Sequence, residues 1–121
     1  MLITKRPENA LLGGLWEFPA GTQQSEESLR DTCIRGVKDT VDIDIEVLDR
    51  FRTVKHAFTH FSITLHTFQC RYKKSKARSL SCDNFAWVPL SELNTYAFSR
   101  PSRKLIDFLQ QDDQPDLFAS Q

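Results

Sequence analysis

Apolar and polar residues follow one another along this chain with two different periods. The stretch 41–48 alternates between apolar and acidic residues, and the stretches 51–58 and 61–72 are rich in threonine, valine, isoleucine and phenylalanine. Alternation places successive side chains on opposite faces of a strand, and β-branched and aromatic residues favour strands, so we expect three strands here. Shorter apolar runs bounded by turn residues predict further strands at 2–5, 15–18 and 85–88.

Between these strands the apolar residues recur with a helical period. Leu29, Cys33 and Val37 lie four residues apart, which places them on one face of a helix. Ser25 is a suitable N-cap, and we expect the helix to end near Lys38. The charged residues of this segment fall on another face and are read as solvated surface: Glu27, Asp31, Arg35 and Asp39.

The C-terminal part of the chain predicts a last helix and a tail. Ser99 can cap this helix, with Pro101 in the first turn, where proline is tolerated. Residues 111–121 are polar and contain a proline, so we expect a disordered tail. Residues 1–110 then form one domain of the α/β (α+β) class, a mixed β-sheet flanked by helices.

Composition restricts the function. The chain has 121 residues and zero formal net charge, which disfavours a protein that binds nucleic acid by charge alone. No apolar run is long enough to cross a membrane and no secretory signal is visible, so a cytoplasmic, monomeric protein without membrane contact is expected. Three widely spaced cysteines predict buried free thiols.

One segment carries a recognisable spacing of chemical groups. Gly21 is followed six residues later by Glu27 and eight residues after that by Arg35. This resembles the Nudix box, Gly-x5-Glu-x7-Arg-Glu-aliphatic-x-Glu-Glu-x-Gly-aliphatic, whose family cleaves nucleoside diphosphate derivatives with Mg²⁺ or Mn²⁺. We call residues 21–43 the box segment. The three positions where the family has metal-binding glutamates hold Gly36, Asp39 and Thr40.

The composition of the box segment favours a binding module descended from a hydrolase. One carboxylate in place of three cannot assemble the cation clamp that pyrophosphate cleavage needs, so no metal is expected. An alternative is an active hydrolase of oxidised nucleotides such as 8-oxo-dGTP, using Glu27, Asp39 and a further carboxylate. A protein-interaction module that needs neither metal nor DNA is a third alternative.

Four further runs sharpen the resemblance: KRPENALLGGLWEFPAG, HAFTHFSITLHTF, WVPLSEL and RPSRKLIDFL. They look like the C-terminal Nudix-like domain of the MutY family of adenine-DNA glycosylases. The resemblance implies a non-catalytic domain that helps base excision repair recognise 8-oxoguanine opposite adenine in duplex DNA. The glycosylase activity and a 4Fe-4S cluster would belong to a helical catalytic domain in cis, and no cofactor to this one. The abrupt start of the chain on a strand suggests a fragment of such a protein.

The same resemblance assigns candidate DNA contacts. The family's Phe-(Ser/Thr)-His loop, which lies against the oxidised guanine, matches Phe58, Thr59 and His60, with Phe58 expected as a buried anchor. A basic loop offers either phosphate contacts or a solvated surface: Lys73, Lys74, Lys76 and Arg78. His56 and His60 are not expected to bind metal, and Trp16 and Trp87 are expected in the core.

Overall fold

The computed structural model describes residues 1–73 and 76–112, and these contain two α-helices, one 3-10 helix and five strands. The first half comprises β1 (Leu2–Lys5), β2 (Trp16–Glu17) and helix α1 (Leu29–Val41). The second half comprises β3 (Ile45–Ala57), β4 (Ser62–Tyr72), β5 (Asn84–Trp87), a 3-10 helix (Leu90–Thr95) and helix α2 (Arg100–Asp112). Every strand and helix that the hydrophobic pattern predicts has a counterpart among these elements.

The strands form two antiparallel sheets. One has the order β2-β1-β5 and the other is the β3-β4 hairpin. An isolated parallel bridge joins Trp16 to Phe98. Apolar side chains of α1 and β3, such as Val37 and Val47, form one buried cluster, and Ile3 and Ile106 belong to a second cluster between β1 and α2. The α+β class predicted from the sequence is confirmed.

The first helix lies three residues further along the chain than predicted. Its N-cap is Ser28, whose hydroxyl accepts a hydrogen bond from the Asp31 backbone nitrogen at 3.1 Å. The prediction of Ser25 is wrong because Glu26 adopts a left-handed conformation (φ 66°), which interrupts a helical path. The helix continues to Val41, so the strand predicted from residue 41 begins only at Ile45.

Strand β3 is longer than either strand predicted in its place. It runs without a break through the polar residues 49–50, where the sequence indicated a connection. The pairing with β4 shifts register between Val47 and Arg50 and again between Arg50 and Thr53. These irregularities accommodate the interrupted alternation inside a single strand, because a bulge lets one strand gain residues relative to its partner.

Two expectations about burial are wrong. Trp87 is 52% exposed and packs edge-on against Tyr72, since β5 lies at the edge of its sheet and its neighbour Val88 points into the core instead. Trp16, by contrast, is half-buried and packs against the second cluster, as predicted. The three cysteines are free, but only partly buried: Cys33 and Cys82 are intermediate, and Cys70 is exposed because it lies on the edge strand β4.

The C-terminal helix begins at Arg100, directly after Ser99, whose carbonyl accepts the Arg103 backbone N–H at 2.8 Å. It extends through Asp112, two residues beyond the predicted end of the domain. The rest of the predicted tail, 113–121, lies outside the described residues. Among the helices of the described part, none is long and apolar enough to cross a membrane.

Candidate functional site

An ion pair holds the box segment together. The Arg35 guanidinium donates to both carboxylate oxygens of Glu27, at 2.8 and 2.9 Å, and to the Thr22 carbonyl at 2.7 Å. The Thr32 hydroxyl donates to the same carboxylate at 2.8 Å. Hydrogen bonds from Arg35 and then from Thr32 lower the pKa of Glu27 to about 2. The reading of Glu27 as solvated helix surface is therefore wrong: it precedes the helix and ties the 21–28 loop to it.

Close packing of two glycines fixes the same loop. Gly36 is buried, and a Cβ atom built on it would lie 2.4 Å from the Gly21 nitrogen, 2.5 Å from the Gly21 Cα and 2.6 Å from the Ala20 carbonyl carbon. All three are backbone atoms, which cannot move aside as a flexible side chain can. The space at the position of the family's first glutamate is thus filled by the chain's own backbone.

The other two metal positions of the box do not compensate. Asp39 has a side chain that is 64% exposed, and its carboxylate lies 3.5 Å from an Arg35 nitrogen. The Thr40 hydroxyl turns back to donate to the Gly36 carbonyl at 2.7 Å. Gly36, Asp39 and Thr40 together offer one carboxylate, so these residues do not fit the divalent-cation site of the box. In the described part of the chain, no three His, Cys, Asp or Glu side chains are grouped so that they could hold a metal ion.

Asp42 stands where the box has its last glycine. It caps α1 in the left-handed conformation (φ 60°), which aspartate tolerates better than most residues. Its carboxylate lies 3.3 Å from the Lys38 amine and 3.0 Å from the Arg78 guanidinium. These hydrogen bonds, led by the one from Lys38, lower the pKa of Asp42. The turn of the box is therefore kept without its glycine.

Two clefts adjoin the box segment. A cleft of about 340 Å³ is lined by Arg6, Glu17, Gly21, Arg35 and Asp39, among others. A second, of about 210 Å³, is lined by Leu12 and by Ile63 and Leu65 of β4, among others, and shares Arg6 and Glu17 with the first. Burial raises the pKa of Glu17, and the Arg6 guanidinium, 3.1 Å away, opposes that shift.

The predicted lesion-contacting residues lie in the connection between β3 and β4, residues 58–61, which we call the hairpin turn. The Phe58 backbone N–H donates to the Phe61 carbonyl at 2.7 Å, and the two rings stack with centroids 4.6 Å apart. Phe58 also meets the His56 ring edge-on at 4.5 Å. Phe58 is half-buried in this local aromatic group and belongs to neither core cluster, so the prediction of a buried anchor is only partly right. Thr59 and His60 are exposed at the end of the turn.

The predicted basic loop lies far from the hairpin turn. Lys73 follows the last residue of β4, whereas the turn precedes the first, so the eleven residues of β4 separate them by roughly 35 Å. Arg78 is paired with Asp42, and its guanidinium donates to that carboxylate through two nitrogens. Lys73 and Lys76 are exposed, and Lys74 lies outside the described residues. Thr59 and this loop therefore cannot serve one compact contact.

Other cations lie beside the hairpin turn, and the sequence pattern did not single them out. The Lys104 amine of α2 donates to the Lys55 carbonyl of β3 at 3.0 Å, two residues before the end of that strand. Burial lowers the pKa of His56, and the positive charges of Lys104 and Arg100 act in the same direction. We call the exposed residues Lys55, Arg100 and Lys104 the tip cations. The run Arg-Pro-Ser-Arg-Lys at the start of α2 was the available signal for two of them.

Comparison with known proteins places the chain in a family. Residues 1–108 match the model of the NUDIX domain. The chain is 32% identical over 68 residues to the 8-oxo-dGTP diphosphatase of Proteus vulgaris, covering 56% of this chain and 61% of that enzyme. It is 26% identical over 112 residues to the adenine DNA glycosylase of Homo sapiens, covering 91% of this chain and 20% of that enzyme.

The fold is also similar to that of a solved structure. The MutT protein of Methanosarcina mazei Go1 superimposes with a TM-score of 0.82 at 22% identity, over 93% of this chain and 85% of that one. At this level of identity the similarity concerns the fold alone. Because the family model spans nearly the whole described domain, the chain belongs to the NUDIX domain family.

Proposed function

We propose that this chain is a non-catalytic lesion-recognition domain of an adenine-DNA glycosylase, which reads 8-oxoguanine opposite adenine in duplex DNA through the hairpin turn. A helical catalytic domain in cis would remove the adenine and would carry the 4Fe-4S cluster, since this chain spans only 20% of the human relative. The proposal makes the chain a binding module rather than a hydrolase of nucleotides.

The contact between Gly36 and Gly21 is the observation that favours a lesion-recognition domain over a nucleotide hydrolase. A glutamate at position 36 would need the space that Gly21 and Ala20 occupy. The loop can follow its present path only because position 36 has no side chain, so restoring the carboxylate would require the loop to move. A chain built in this way retains the framework of the box through Glu27 and Arg35, but not its cation-binding face.

The hairpin turn supports the proposed binding site. 8-Oxoguanine differs from guanine by a carbonyl oxygen at C8 and by a donor at N7 in place of an acceptor, so its reader must present an acceptor there. The Thr59 hydroxyl can accept and donate, and it is exposed beside a stacked Phe58–Phe61 pair that fixes the turn. Within residues 1–73 and 76–112, neither Thr59 nor His60 has a hydrogen bond or ion pair that would occupy its side chain.

The positive charges near the hairpin turn also support this end of the hairpin as the DNA-binding site. Phosphate contacts supply a large part of DNA affinity, and a domain without net charge needs them close to its reading residues. The tip cations lie at this end of the hairpin, whereas Lys73 and Lys76 lie at the other. We therefore assign the phosphate contacts of the lesion strand to Lys55, Arg100 and Lys104 in place of the basic loop.

The test uses this chain joined to a helical glycosylase domain. Single-turnover excision of adenine is measured opposite 8-oxoguanine and opposite guanine, for the parent and for Thr59→Ala and His60→Ala. Thr59→Ala should reduce the preference for the lesion pair by about 1 to 3 kcal/mol, the value of one good base contact, and leave excision opposite guanine nearly unchanged. Thr53→Ala, on an exposed position of β3 away from the turn, is the matched control.

Equal losses on the two duplexes would remove Thr59 from lesion recognition. No loss on either duplex would make the turn an ordinary hairpin connection and would favour a protein-interaction module. The far-ultraviolet circular dichroism of each variant is recorded in the same experiment, so that a variant that fails to fold is distinguished from these two results.

The alternative, a hydrolase of oxidised nucleotides such as 8-oxo-dGTP, is favoured by the 32% identity to the Proteus vulgaris enzyme and by the clefts beside the box segment. It needs carboxylates besides Asp39. Glu17 lines both clefts but is paired with Arg6, and both oxygens of Glu27 are engaged by Arg35. Release of pyrophosphate from 8-oxo-dGTP in Mg²⁺ or Mn²⁺, abolished by Asp39→Ala, would establish this alternative.

A further inference from the structure

Two cysteines from different elements bring their sulfur atoms together. Cys33 lies on α1 and Cys70 near the end of β4, and their Sγ atoms are 3.9 Å apart. The two residues are separated by 36 others along the chain, so the tertiary fold and not local sequence creates the contact. Cys33 is half-buried and Cys70 is exposed, which gives a small molecule in solvent access to the pair.

The packing between α1 and the hairpin explains why the sulfurs meet. Cys70 pairs with Val47 in the antiparallel register, and side chains of paired residues lie on the same face of a sheet. Val47 is buried in the cluster that α1 covers, and Cys33 packs against that cluster. The face of β4 that carries Cys70 is therefore the face turned toward α1. The third cysteine, Cys82, has a different contact, the Thr40 carbonyl at 3.6 Å.

We propose that Cys33 and Cys70 are a redox modification site, which closes to an intramolecular disulfide when the chain meets a hydroperoxide and reopens with a thiol reductant. The disulfide would connect α1, which forms the helical part of the box segment, to the hairpin whose other end carries Thr59 and His60. The proposal does not depend on the function proposed above.

The reaction proceeds in two balanced steps. The Cys33 thiolate attacks the terminal oxygen of the hydroperoxide: an S–O bond forms, the O–O bond breaks, and the leaving alkoxide takes a proton to become an alcohol or water. The Cys70 thiolate then attacks the sulfenic sulfur of Cys33: the S–S bond forms, the S–O bond breaks, and hydroxide leaves as water. Two thiols lose two electrons in total, and the peroxide gains them.

The environments of the two thiols indicate which of them attacks the hydroperoxide first. The hydrogen bond between the two sulfurs lowers the pKa of Cys33 and raises that of Cys70, and burial opposes the first shift and adds to the second. Cys33 is therefore the thiol that reaches the reactive thiolate form first. The nearby charge of Arg30 favours the thiolate of Cys70, which the second step requires. A disulfide bond is about 2 Å long, so the sulfurs have to approach by about 2 Å for the bond to form.

The test treats the full chain with hydrogen peroxide and follows it by intact-mass and non-reducing peptide mass spectrometry. We expect the loss of two hydrogen masses, a peptide cross-link between Cys33 and Cys70, and reversal by dithiothreitol. The oxidised chain should melt on the order of 10 °C higher, because a cross-link closing a loop of this length constrains the unfolded chain.

Three variants separate the proposal from unspecific oxidation. Cys82→Ser should form the same cross-link, Cys33→Ser should form none, and Cys70→Ser should accumulate a sulfenic acid on Cys33 that dimedone labels. A cross-link through Cys82, dimers joined between chains, or labelling of Cys70 rather than Cys33 in the single variants would overturn it. The reduced variants are first compared by circular dichroism, so that a failure to fold is recognised as such.

Discussion

The box segment and the hairpin turn are two regions of this domain that treat their polar groups in opposite ways. In the box segment, Glu27 and Arg35 satisfy each other and the loop backbone, and Gly36 packs directly on Gly21. In the hairpin turn, an aromatic stack holds the backbone while Thr59 and His60 extend into solvent. Groups in the first region are used for the fold, and groups in the second are available to a partner.

The contrast shows how a family motif can persist after a change of role. Residues of the box that shape the loop are present, whereas positions that would face a cation have changed to Gly36 and Thr40. The retained pair needs no catalytic explanation, because a bidentate arginine–carboxylate contact that also binds a backbone carbonyl orders the loop by itself.

The largest effect is expected from Gly36→Glu, which restores the family's residue. Its Cβ would lie within 2.6 Å of three backbone atoms, so the loop 20–22 has to move or the helix has to shift. We expect a loss of at least about 1 to 3 kcal/mol in the free energy of unfolding, measured by urea titration. Asp39→Glu, on an exposed position of the same helix, should change it by no more than about 0.5 kcal/mol. A Gly36→Glu chain as stable as the parent would contradict the packing argument.

Phe58→Ala should have the next largest effect, at the hairpin turn. Removing a fully buried phenylalanine costs about 3 to 5 kcal/mol, and Phe58 is only half-buried against His56 and Phe61, so we expect about 1 to 2 kcal/mol. Thr59→Ala is the matched control and should be neutral within about 0.5 kcal/mol, since Thr59 is exposed. If both changes were equally costly, Thr59 would be a structural residue rather than a free one.

The ion pair predicts a dependence of stability on pH. Arg35 holds the pKa of Glu27 at about 2, below its ordinary value of 4.5. A carboxyl with a depressed folded pKa stabilises the fold above its unfolded pKa, and this contribution is lost as the pH falls toward the folded value. Stability should therefore decline between about pH 4.5 and pH 2, and Glu27→Gln should decline less over this window while being less stable at neutral pH. Glu26→Gln, at the exposed neighbouring residue, should follow the parent, and identical curves for all three chains would exclude the ion pair as a source.

The smallest effect concerns the two basic ends of the hairpin. In the chain joined to a helical glycosylase domain, replacing Arg100 and Lys104 by glutamine should reduce the slope of log affinity for lesion duplex against log salt by about 1 for each phosphate that is no longer neutralised. The matched pair of changes at Lys73 and Lys76 should leave the slope unchanged. The opposite result would return the phosphate-binding role to the basic loop.

The sequence predicted most of the fold because its signals are local. Alternation marked the beginning of β3, β-branched and aromatic residues marked the rest of β3 and β4, and the four-residue spacing of Leu29, Cys33 and Val37 marked α1. The position of the N-cap was missed because Ser25 and Ser28 are equally good capping residues, and the left-handed Glu26 that decides between them is not visible in a hydrophobic pattern.

The sequence predicted less of the candidate site because its properties depend on long-range packing. The spacing of the box identified Glu27 and Arg35 as motif residues, but it predicted neither their ion pair nor that Gly21 fills the space beside Gly36. The predicted strand at 61–72 already implied that the basic loop lies far from Thr59. The nearness of Lys104 to Lys55 depends on the docking of α2 on β3, which no short run of residues encodes.

Pyrophosphate release from 8-oxo-dGTP by this chain, measured over a titration of Mg²⁺ and of Mn²⁺, tests most directly whether the box segment keeps its framework without its cation chemistry. We expect no turnover above that of a sample without protein, for the parent and for Asp39→Ala alike. Turnover by the parent that rises with the metal concentration and disappears in Asp39→Ala would contradict it.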